Sequence, residues 1–320
     1  MRMSEDTYLV TGAMGCLGAW VIRLLLEDKC QVVAFDISED DRRHQLIINS
    51  EDRKRINYVK GDLTDPEQVM SAAEGVSRII HLGALQVPFC RADRPMGAAV
   101  NVVGTVNVFD AALRHSIEHL VYASSVAVFG NAENYESATI KPENQRLPTT
   151  LYGIWKCANE STARIFETDY DLPSVGLIPH TVYGPGRDQG LTSQPTSAVL
   201  AAVRKQSFHI EYGGSLALQF APDIAKDFIQ SSRLTPQGFE IHGLGGTVAS
   251  ISEFVEGIEQ VTNCSEITHG EDLLPFPVAV DSSSLKARLG TLPYTPLLEG
   301  IDQTARWFEE AALVGLPLPS

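Results

Sequence analysis

Tyr152 and Lys156 are the side chains of this sequence whose types and spacing best suit acid–base chemistry. They lie four residues apart in a helical pattern, so they share one helical face. An ammonium group beside a phenol favours the phenolate and lowers the pKa of the tyrosine toward neutral pH. Such a tyrosine can take a proton from a substrate hydroxyl or return it. The pair alone is also common on solvated helices, so catalysis requires further support.

A serine hydroxyl at a strand end supplies part of that support. Ser124 and Ser125 follow a predicted strand over residues 119–123. The carboxyl ends of parallel strands are where α/β proteins bind ligands, and a hydroxyl there can hold a substrate oxygen during proton transfer. We therefore predict Ser125, Tyr152 and Lys156 as the catalytic residues.

A glycine-rich segment near the N-terminus predicts a dinucleotide site. It reads Thr11-Gly12-Ala13-Met14-Gly15-Cys16-Leu17-Gly18, between a short apolar run and a helical pattern. Glycines at this spacing let the backbone approach a pyrophosphate, which the following helix N-terminus stabilises. A second predicted strand ends in Asp36, about 20 residues on, as a ribose 2′-hydroxyl requires. The alternative to a dinucleotide site is that the glycines form an ordinary tight turn.

Asp36 favours NAD over NADP, unless Arg42 and Arg43 fold back over a 2′-phosphate.

Secondary-structure patterns predict the fold that positions these residues. Short β-rich runs alternate with helical patterns over the first two-thirds of the chain, which is typical of an α/β fold with a doubly wound parallel Rossmann sheet. The predicted strands are 8–10, 31–35, 57–59, 78–82, 119–123 and 174–178, and the predicted helices are 17–27, 66–73, 95–114 and 151–169.

The pattern loosens after residue 184, which predicts a smaller C-terminal substrate-binding region. A helix near 222–231 and a strand at 239–242 are expected to return to the sheet. We predict that residues 1–184 and 216–244 form the NAD-binding Rossmann domain. Residues 185–215 and 245–320 would form the substrate-binding region.

Composition restricts the partners. The net charge of −15 argues against a nucleic-acid backbone, because nothing offsets phosphate repulsion. The N-terminus is polar, and no run is expected to be long enough to span a bilayer. The five cysteines are scattered, and no pair has metal-ligand spacing. We therefore predict a cytoplasmic protein with no metal, membrane or nucleic-acid partner.

The ordered motifs strongly resemble the extended short-chain dehydrogenase/reductase family, also called the NAD-dependent epimerase/dehydratase family. The resemblance covers nearly the whole chain. Besides the glycine segment and Tyr152 with Lys156, it rests on Gly61-Asp62-Leu63, His81-Leu82-Gly83-Ala84, Asn101-Val102-Val103-Gly104-Thr105, Tyr122-Ala123-Ser124-Ser125 through Val128-Phe129-Gly130, Val182-Tyr183-Gly184-Pro185-Gly186 and the tail from Leu289-Gly290 to Gly300-Ile301.

The resemblance implies NAD as cofactor and assigns roles at matching positions. Tyr152 would be the acid/base, Lys156 its pKa modulator and a nicotinamide-ribose ligand, and Ser125 the holder of the substrate oxygen. The glycines would receive the pyrophosphate and Asp36 the adenosine ribose. The implied cofactor residues are Gly12, Gly15, Cys16, Leu17, Gly18, Asp36, Asp62, Leu63, Leu82, Gly83, Ala84, Asn101, Tyr152, Lys156, Pro179 and Thr181.

Departures from the family pattern bear on the substrate. Ser125-Val126-Ala127 replaces the Thr-Asp-Glu of sugar dehydratases, so the acids that would eliminate water are missing. Nucleotide-sugar epimerases usually have an Arg-x-x-Asn segment where this chain has Ile178-Pro179-His180-Thr181. They also have an arginine at the position that matches Leu216 in this chain. A further arginine is expected before Asp281, but none occurs between Arg233 and Arg288. Guanidinium groups are the usual diphosphate clamps, so a nucleotide sugar is not expected as substrate. Arg187, Arg204 and Lys205 are the possible substitutes for the missing arginines.

The predicted substrate pocket contains mainly hydroxyl-binding residues. His180 could contact substrate or be a packed core histidine. Arg91 and Arg187 could each anchor a carboxylate or form a surface ion pair. The predicted substrate residues are Gln86, Phe89, Ser125, Val126, His180 and Arg187, with Gln219 as a further candidate.

Three functions remain open. The preferred one is an NAD-dependent dehydrogenase acting on a secondary alcohol of a free sugar, sugar acid or lactone. The second is an NAD-retaining epimerase, whose substrate could be a nucleotide sugar. The third, a non-catalytic NAD-binding module, conflicts with the intact Ser/Tyr/Lys set. The family resemblance also implies a homodimer paired through helices 95–114 and 151–169.

Overall fold

The computed structural model describes residues 6–318. Its first half alternates strands and helices as predicted. The elements are β1 (Thr7–Thr11), α1 (Cys16–Glu27), β2 (Gln31–Asp36), α2 (Arg42–Ile47), α3 (Ser50–Arg53), β3 (Asn57–Lys60), α4 (Pro66–Ala72), β4 (Arg78–His81), α5 (Val87–Ala92), α6 (Arg94–Ala98), α7 (Gly104–Arg114) and β5 (His119–Ala123).

The second half adds the remaining sheet strands and a C-terminal region. The elements are β6 (Thr139–Ile140), α8 (Leu151–Tyr170), β7 (Ser174–Ile178), β8 (Thr181–Tyr183), α9 (Gln194–Val203), β9 (Phe208–Ile210), β10 (Ser215–Phe220), α10 (Ala221–Ser232), β11 (Phe239–Gly243), β12 (Thr247–Ser250), α11 (Ile251–Thr262), β13 (Ile267–His269), β14 (Ala279–Val280), α12 (Ser283–Leu289) and α13 (Leu297–Leu313).

Seven parallel strands form the central sheet, in the order β11-β7-β5-β4-β1-β2-β3. The apolar residues of β1 are fully buried, as expected for a parallel sheet covered by helices on both faces. The predicted doubly wound Rossmann fold is confirmed, including the return of the strand near residue 240 to the sheet. The chain order reverses between β1 and β4, which places the ligand crevice at their carboxyl ends.

A second sheet, in the order β12-β10-β8, lies outside the central sheet. Strand β10 pairs in parallel with β8 and antiparallel with β12. This sheet joins strands from both regions of the predicted domain division, and that division stays a prediction.

At the C-terminal end, Trp307 on α13 packs edge-on against Trp20 on α1, with ring centroids 5.1 Å apart.

The helical segment Arg94–Arg114 bears on the expectation that no run spans a bilayer. Within the described residues it is long and apolar enough to cross a membrane by length and composition. A π-helical turn, Ala99–Val103, joins its two α-helical parts, α6 and α7. Val108, Phe109 and Ala112 are fully buried in one core cluster with strand residues, so packing of a core helix accounts for the apolar composition.

Candidate active site

The carboxyl ends of β1, β2, β4 and β5 open onto one cavity of about 790 Å³. Its lining includes the glycine segment, residues of the β8–α9 connection, which Arg43 links to that segment, and the 275–276 segment. Most of the predicted site residues line it: Gly12, Gly15, Cys16, Leu17, Gly18, Asp36, Asp62, Leu63, Leu82, Gly83, Ala84, Gln86, Phe89, Ser125, Val126, Tyr152, Lys156, Pro179, His180 and Arg187.

The glycine segment has the geometry of a pyrophosphate cradle. Gly12 has φ of +67°, and a Cβ there would lie 2.7 Å from the Gly83 backbone. A Cβ on Gly18 would collide with the Gly12 carbonyl oxygen, so α1 begins directly against the loop. Gly15 caps α1 without a side-chain hydrogen bond, and no acidic residue occupies the first turn. The free N–H groups and the helix dipole therefore suit an anion.

Asp36 ends β2 beside this cradle. Its Oδ2 accepts the N–H of Met14 at 2.9 Å, and its Oδ1 accepts that of Ser38 at the same distance. These bonds fix the carboxylate at the cavity wall while leaving lone pairs for a ribose diol. The cradle and this carboxylate fit the adenosine end of NAD.

The two arginines near Asp36 are held away from a phosphate-binding role. Arg42 pairs with exposed Asp40. Arg43 pairs with Asp188 at 2.5 Å and donates to the carbonyls of Met14 and Gly186. Because Arg43 is already neutralised by Asp188, the preference for NAD is strengthened.

Ser125, Tyr152 and Lys156 converge at the middle of the cavity. The Ser125 side chain accepts the N–H of Ala127 at 3.2 Å, and its interaction with the Tyr152 phenol lowers the pKa of that phenol. Thr150 caps α8 by accepting the N–H of Gly153 at 3.0 Å, which sets where the helix begins. The Lys156 ammonium lies 5.7 Å from the centroid of the Tyr152 ring.

Burial governs the protonation of this group. Desolvation lowers the pKa of Lys156 to about 8, opposed by Cys90 and Glu160. Desolvation also raises the pKa of Tyr152, opposed by its hydrogen bond with Ser125 and by the charge of Arg187. The predicted lowering of the Tyr152 pKa is therefore outweighed by burial in this structure.

A buried ion pair behind the serines escaped the sequence analysis. Ser124 Oγ donates to Glu160 Oε1 at 2.5 Å, and Arg146 Nε donates to Glu160 Oε2 at 2.8 Å. The Arg146 guanidinium lies 4.8 Å from the centroid of the Phe129 ring. The network ties α8 to the end of β5, so it fixes the strand end that presents Ser125.

Two predicted cofactor residues lie outside the cavity lining among the described residues. Asn101 is fully buried, accepts the N–H of Leu85 at 2.7 Å and donates to its carbonyl at 2.8 Å. It therefore supports the wall from behind. Thr181 is also fully buried, and its hydroxyl contacts His180 Nδ1 at 3.2 Å. Their direct contact with cofactor stays a prediction.

His180 lines the cavity, but its ring is held by protein groups. Nε2 bonds with the Pro277 carbonyl at 2.8 Å, and Phe276 packs edge-on against the ring. Burial lowers the pKa of His180 to about 4, so it is neutral near pH 7. The alternative of a packed core histidine accounts for these contacts.

Gln219 accepts the backbone N–H of His180 at 2.7 Å and lies outside the cavity lining, contrary to its predicted place at the pocket boundary.

Several residues that line the cavity were not predicted from the sequence. The 275–276 segment reaches the cavity from the C-terminal region, far from any motif. Thr149 and Thr150 were detectable in principle, because a threonine before a helical pattern is a typical N-cap. The further polar lining residues that were missed are Ser38, Asp40, Arg43, Thr149, Thr150, Asp188, Gln189 and Thr192.

The family model described as "NAD dependent epimerase/dehydratase family" matches residues 8–218. The chain belongs to that family, and the predicted resemblance is confirmed. It is therefore an NAD-dependent enzyme of the extended short-chain dehydrogenase/reductase class. A curated relative, the UDP-glucose 4-epimerase of Mycolicibacterium smegmatis, is 27% identical over 310 residues, covering 94% of this chain and 97% of the relative.

Solved structures with the same fold include different activities. The UDP-glucose 4-epimerase of Thermus thermophilus, solved with NAD, has a TM-score of 0.82 at 21% identity, covering 95% of this chain and 99% of that one. A monomeric L-threonine 3-dehydrogenase from a metagenome has the same TM-score of 0.82 at 17% identity, covering 95% of this chain and 99% of that one. At these identities the likeness shows the fold alone.

Proposed function

We propose that the enzyme transfers a hydride at a secondary alcohol of a small sugar-like substrate, a free sugar, sugar acid or lactone. The observation that carries this proposal is the charge of the cavity. Among the described residues that line it, the cationic side chains of lysine and arginine are Arg43, Lys156 and Arg187. Arg43 is paired with Asp188, and Lys156 belongs to the catalytic group. One cation therefore remains for substrate, whereas the family pattern provides several arginines to a diphosphate.

The positions that would carry a diphosphate clamp support the same conclusion. Ile178 and Thr181 are fully buried in strands, and Leu216 is buried in β10. Arg288 is paired with Glu240 at 2.7 Å. Lys205 donates to the Thr262 carbonyl at 2.5 Å, outside the cavity lining.

The proposed chemistry uses three side chains. NAD supplies the hydride acceptor when it is bound. Ser125 would hold the reacting hydroxyl, and the Tyr152 phenolate would take its proton as the alcohol is oxidised. Lys156 would stabilise the phenolate by its charge. Reduction would run the same proton transfer in reverse.

An NAD-retaining epimerase is the second candidate, and the curated relative named above favours it. It would use the same three residues but would keep the oxidised intermediate bound while the other face is presented. A diphosphate normally provides that hold, and the cavity lacks the matching cations.

Cofactor retention and substrate panels together test the proposal. Purified protein would be denatured and its released NAD quantified, and UDP- and dTDP-sugars would be compared with free aldoses, sugar acids and lactones. NADH absorbance reports net oxidation, and NMR reports epimer formation. NADH formation from a free sugar compound by protein that exchanges NAD supports the proposal. Efficient epimerisation of a nucleotide sugar by protein that retains NAD would replace it with the second candidate.

A further inference from the structure

Arg187 is a half-buried cation with a buried Nε, and its neighbours leave it partly unsatisfied. Its Nε has no hydrogen-bond partner, and its Nη2 donates to the Thr192 hydroxyl at 3.2 Å. The adjacent carboxylate, Asp188, is occupied by Arg43 through bonds of 3.0 and 2.5 Å. Within residues 6–318, Arg187 makes no salt bridge of its own. A partly buried charge without a salt bridge carries a desolvation cost, and an anionic ligand at this position would offset it.

Gln86 presents a second unsatisfied group at the same place. Its Oε1 is buried and has no donor. A Cβ on Gly190 would lie 3.1 Å from Arg187 Nη2 and would collide with Gln86 Oε1, so both side chains meet over this glycine. An amide can rotate to present N–H groups or its oxygen. Guanidinium and amide together can therefore bind both a carboxylate and a neighbouring hydroxyl.

The site adjoins the reacting group. Both Gln86 and Arg187 line the cavity that contains Ser125 and Tyr152. The charge of Arg187 acts on the Tyr152 phenol, which places the two side chains within electrostatic reach. One planar guanidinium matches one carboxylate in a bidentate manner, and nearby Asp188 disfavours a ligand with two negative charges.

We infer that Arg187 and Gln86 form a carboxylate-binding subsite, and that the substrate is a sugar acid. This inference rests on the proposed function, because it selects one of its three substrate types. It also separates Arg187 from Arg91, the other predicted carboxylate anchor. Arg91 lies on α5 with its side chain exposed and is outside the cavity lining.

The test is calorimetric titration of the full chain loaded with NADH, which cannot accept a hydride, so that the alcohols bind without being oxidised. The ligands are D-galacturonate and D-gluconate, each compared with a matched neutral compound, D-galactose and D-glucitol. Wild type should bind the acids about 10- to 100-fold more tightly, the range for a hydrogen-bonded charge pair. Arg187→Met should lose this difference, Arg187→Lys should recover part of it, and the control Arg91→Met should stay within about twofold of wild type.

Each other outcome has a defined meaning. Equal affinity for acids and neutral sugars, or unchanged discrimination in Arg187→Met, would overturn the subsite even if neutral sugars are oxidised. UDP bound more tightly than either acid, and lost in Arg187→Met, would assign the guanidinium to a phosphate and also overturn it. Acid binding that depends on Arg187 but yields no NADH with any substrate would sustain the subsite while removing the proposed dehydrogenase function.

Discussion

The Lys156 ammonium donates a hydrogen bond of 2.6 Å to the carbonyl of Ala123, the last residue of β5. This contact joins the helix that carries Tyr152 to the strand end that precedes Ser125. The lysine therefore has a defined position and is 3% exposed before any ligand is considered. Its charge is available to the phenol without a large rearrangement.

Tyr152→Phe should abolish turnover while leaving NAD affinity nearly unchanged, because the phenol transfers the proton and the pyrophosphate cradle lies elsewhere. We expect a rate loss on the order of 10²- to 10⁴-fold, as for general acid–base catalysis. Stopped-flow or steady-state NADH formation measures the rate, and fluorescence titration measures NAD binding. Retention of more than about a tenth of the wild-type rate would remove Tyr152 from the assigned role.

Ser125→Ala and Lys156→Ala separate the neighbouring roles. The serine variant should lose mainly rate, whereas the lysine variant should lose both rate and NAD affinity. Equal NAD affinity in Lys156→Ala and wild type would contradict the predicted contact with the nicotinamide ribose.

Asp36→Ala should relax the preference for NAD over NADP. The carboxylate is held by the N–H groups of Met14 and Ser38, and it repels a 2′-phosphate. The ratio of kcat/KM values for the two cofactors measures the effect. The control is Glu74→Ala, since Glu74 is exposed and lies outside the cavity lining. A wild-type enzyme that uses NADP as well as NAD would contradict the prediction.

Asp227 on α10 should lower the free energy of unfolding as the pH rises toward 8. It is 1% exposed, one of its carboxylate oxygens has no partner, and burial raises its pKa to about 8. The native state therefore binds a proton that the unfolded state releases near pH 4, so the free energy of unfolding falls as pH rises from about 4 to about 8.

Asp227→Asn removes this penalty. We expect its advantage over wild type to grow between pH 5.5 and pH 8.5 by on the order of 1–3 kcal/mol. Urea unfolding at both pH values measures it, with exposed Glu74→Gln as the control. An advantage that is the same at both pH values would show that Asp227 does not titrate as described.

A homodimer should form through α7 and α8. Val106 and Ile165 on these helices are 36% and 47% exposed, and Val103 and Ile154 are similarly uncovered. Exposed apolar side chains on two adjacent helices suit a four-helix contact between copies. Sedimentation should give a dimer at micromolar concentration. Val106→Glu with Ile165→Glu should yield monomers, whereas Leu313→Glu, at an exposed position on the last residue of α13, should not. A monomeric wild type would contradict the interface.

Local signals made the fold and half of the site predictable. The glycine segment, the strand before Asp36 and the i,i+4 spacing of Tyr152 and Lys156 all depend on short-range geometry. The wall formed by Pro275 and Phe276 was not predictable, because it is brought to the cavity by tertiary packing across about a hundred residues from His180. Likewise, the Glu160–Arg146 ion pair was not predictable, because the two side chains are brought together only when α8 packs against the end of β5.

The connection after β8 is bonded to the elements that form the cofactor cradle. The Pro185 carbonyl accepts the Trp20 indole N–H of α1 at 2.9 Å, and Arg43 links the Met14 and Gly186 carbonyls. The same connection carries Arg187 toward the substrate end. We expect NAD that orders this connection to lower the conformational-entropy cost of binding a substrate beside Arg187. Thermodynamic reciprocity then requires the substrate to tighten NAD by the same factor by which NAD tightens the substrate.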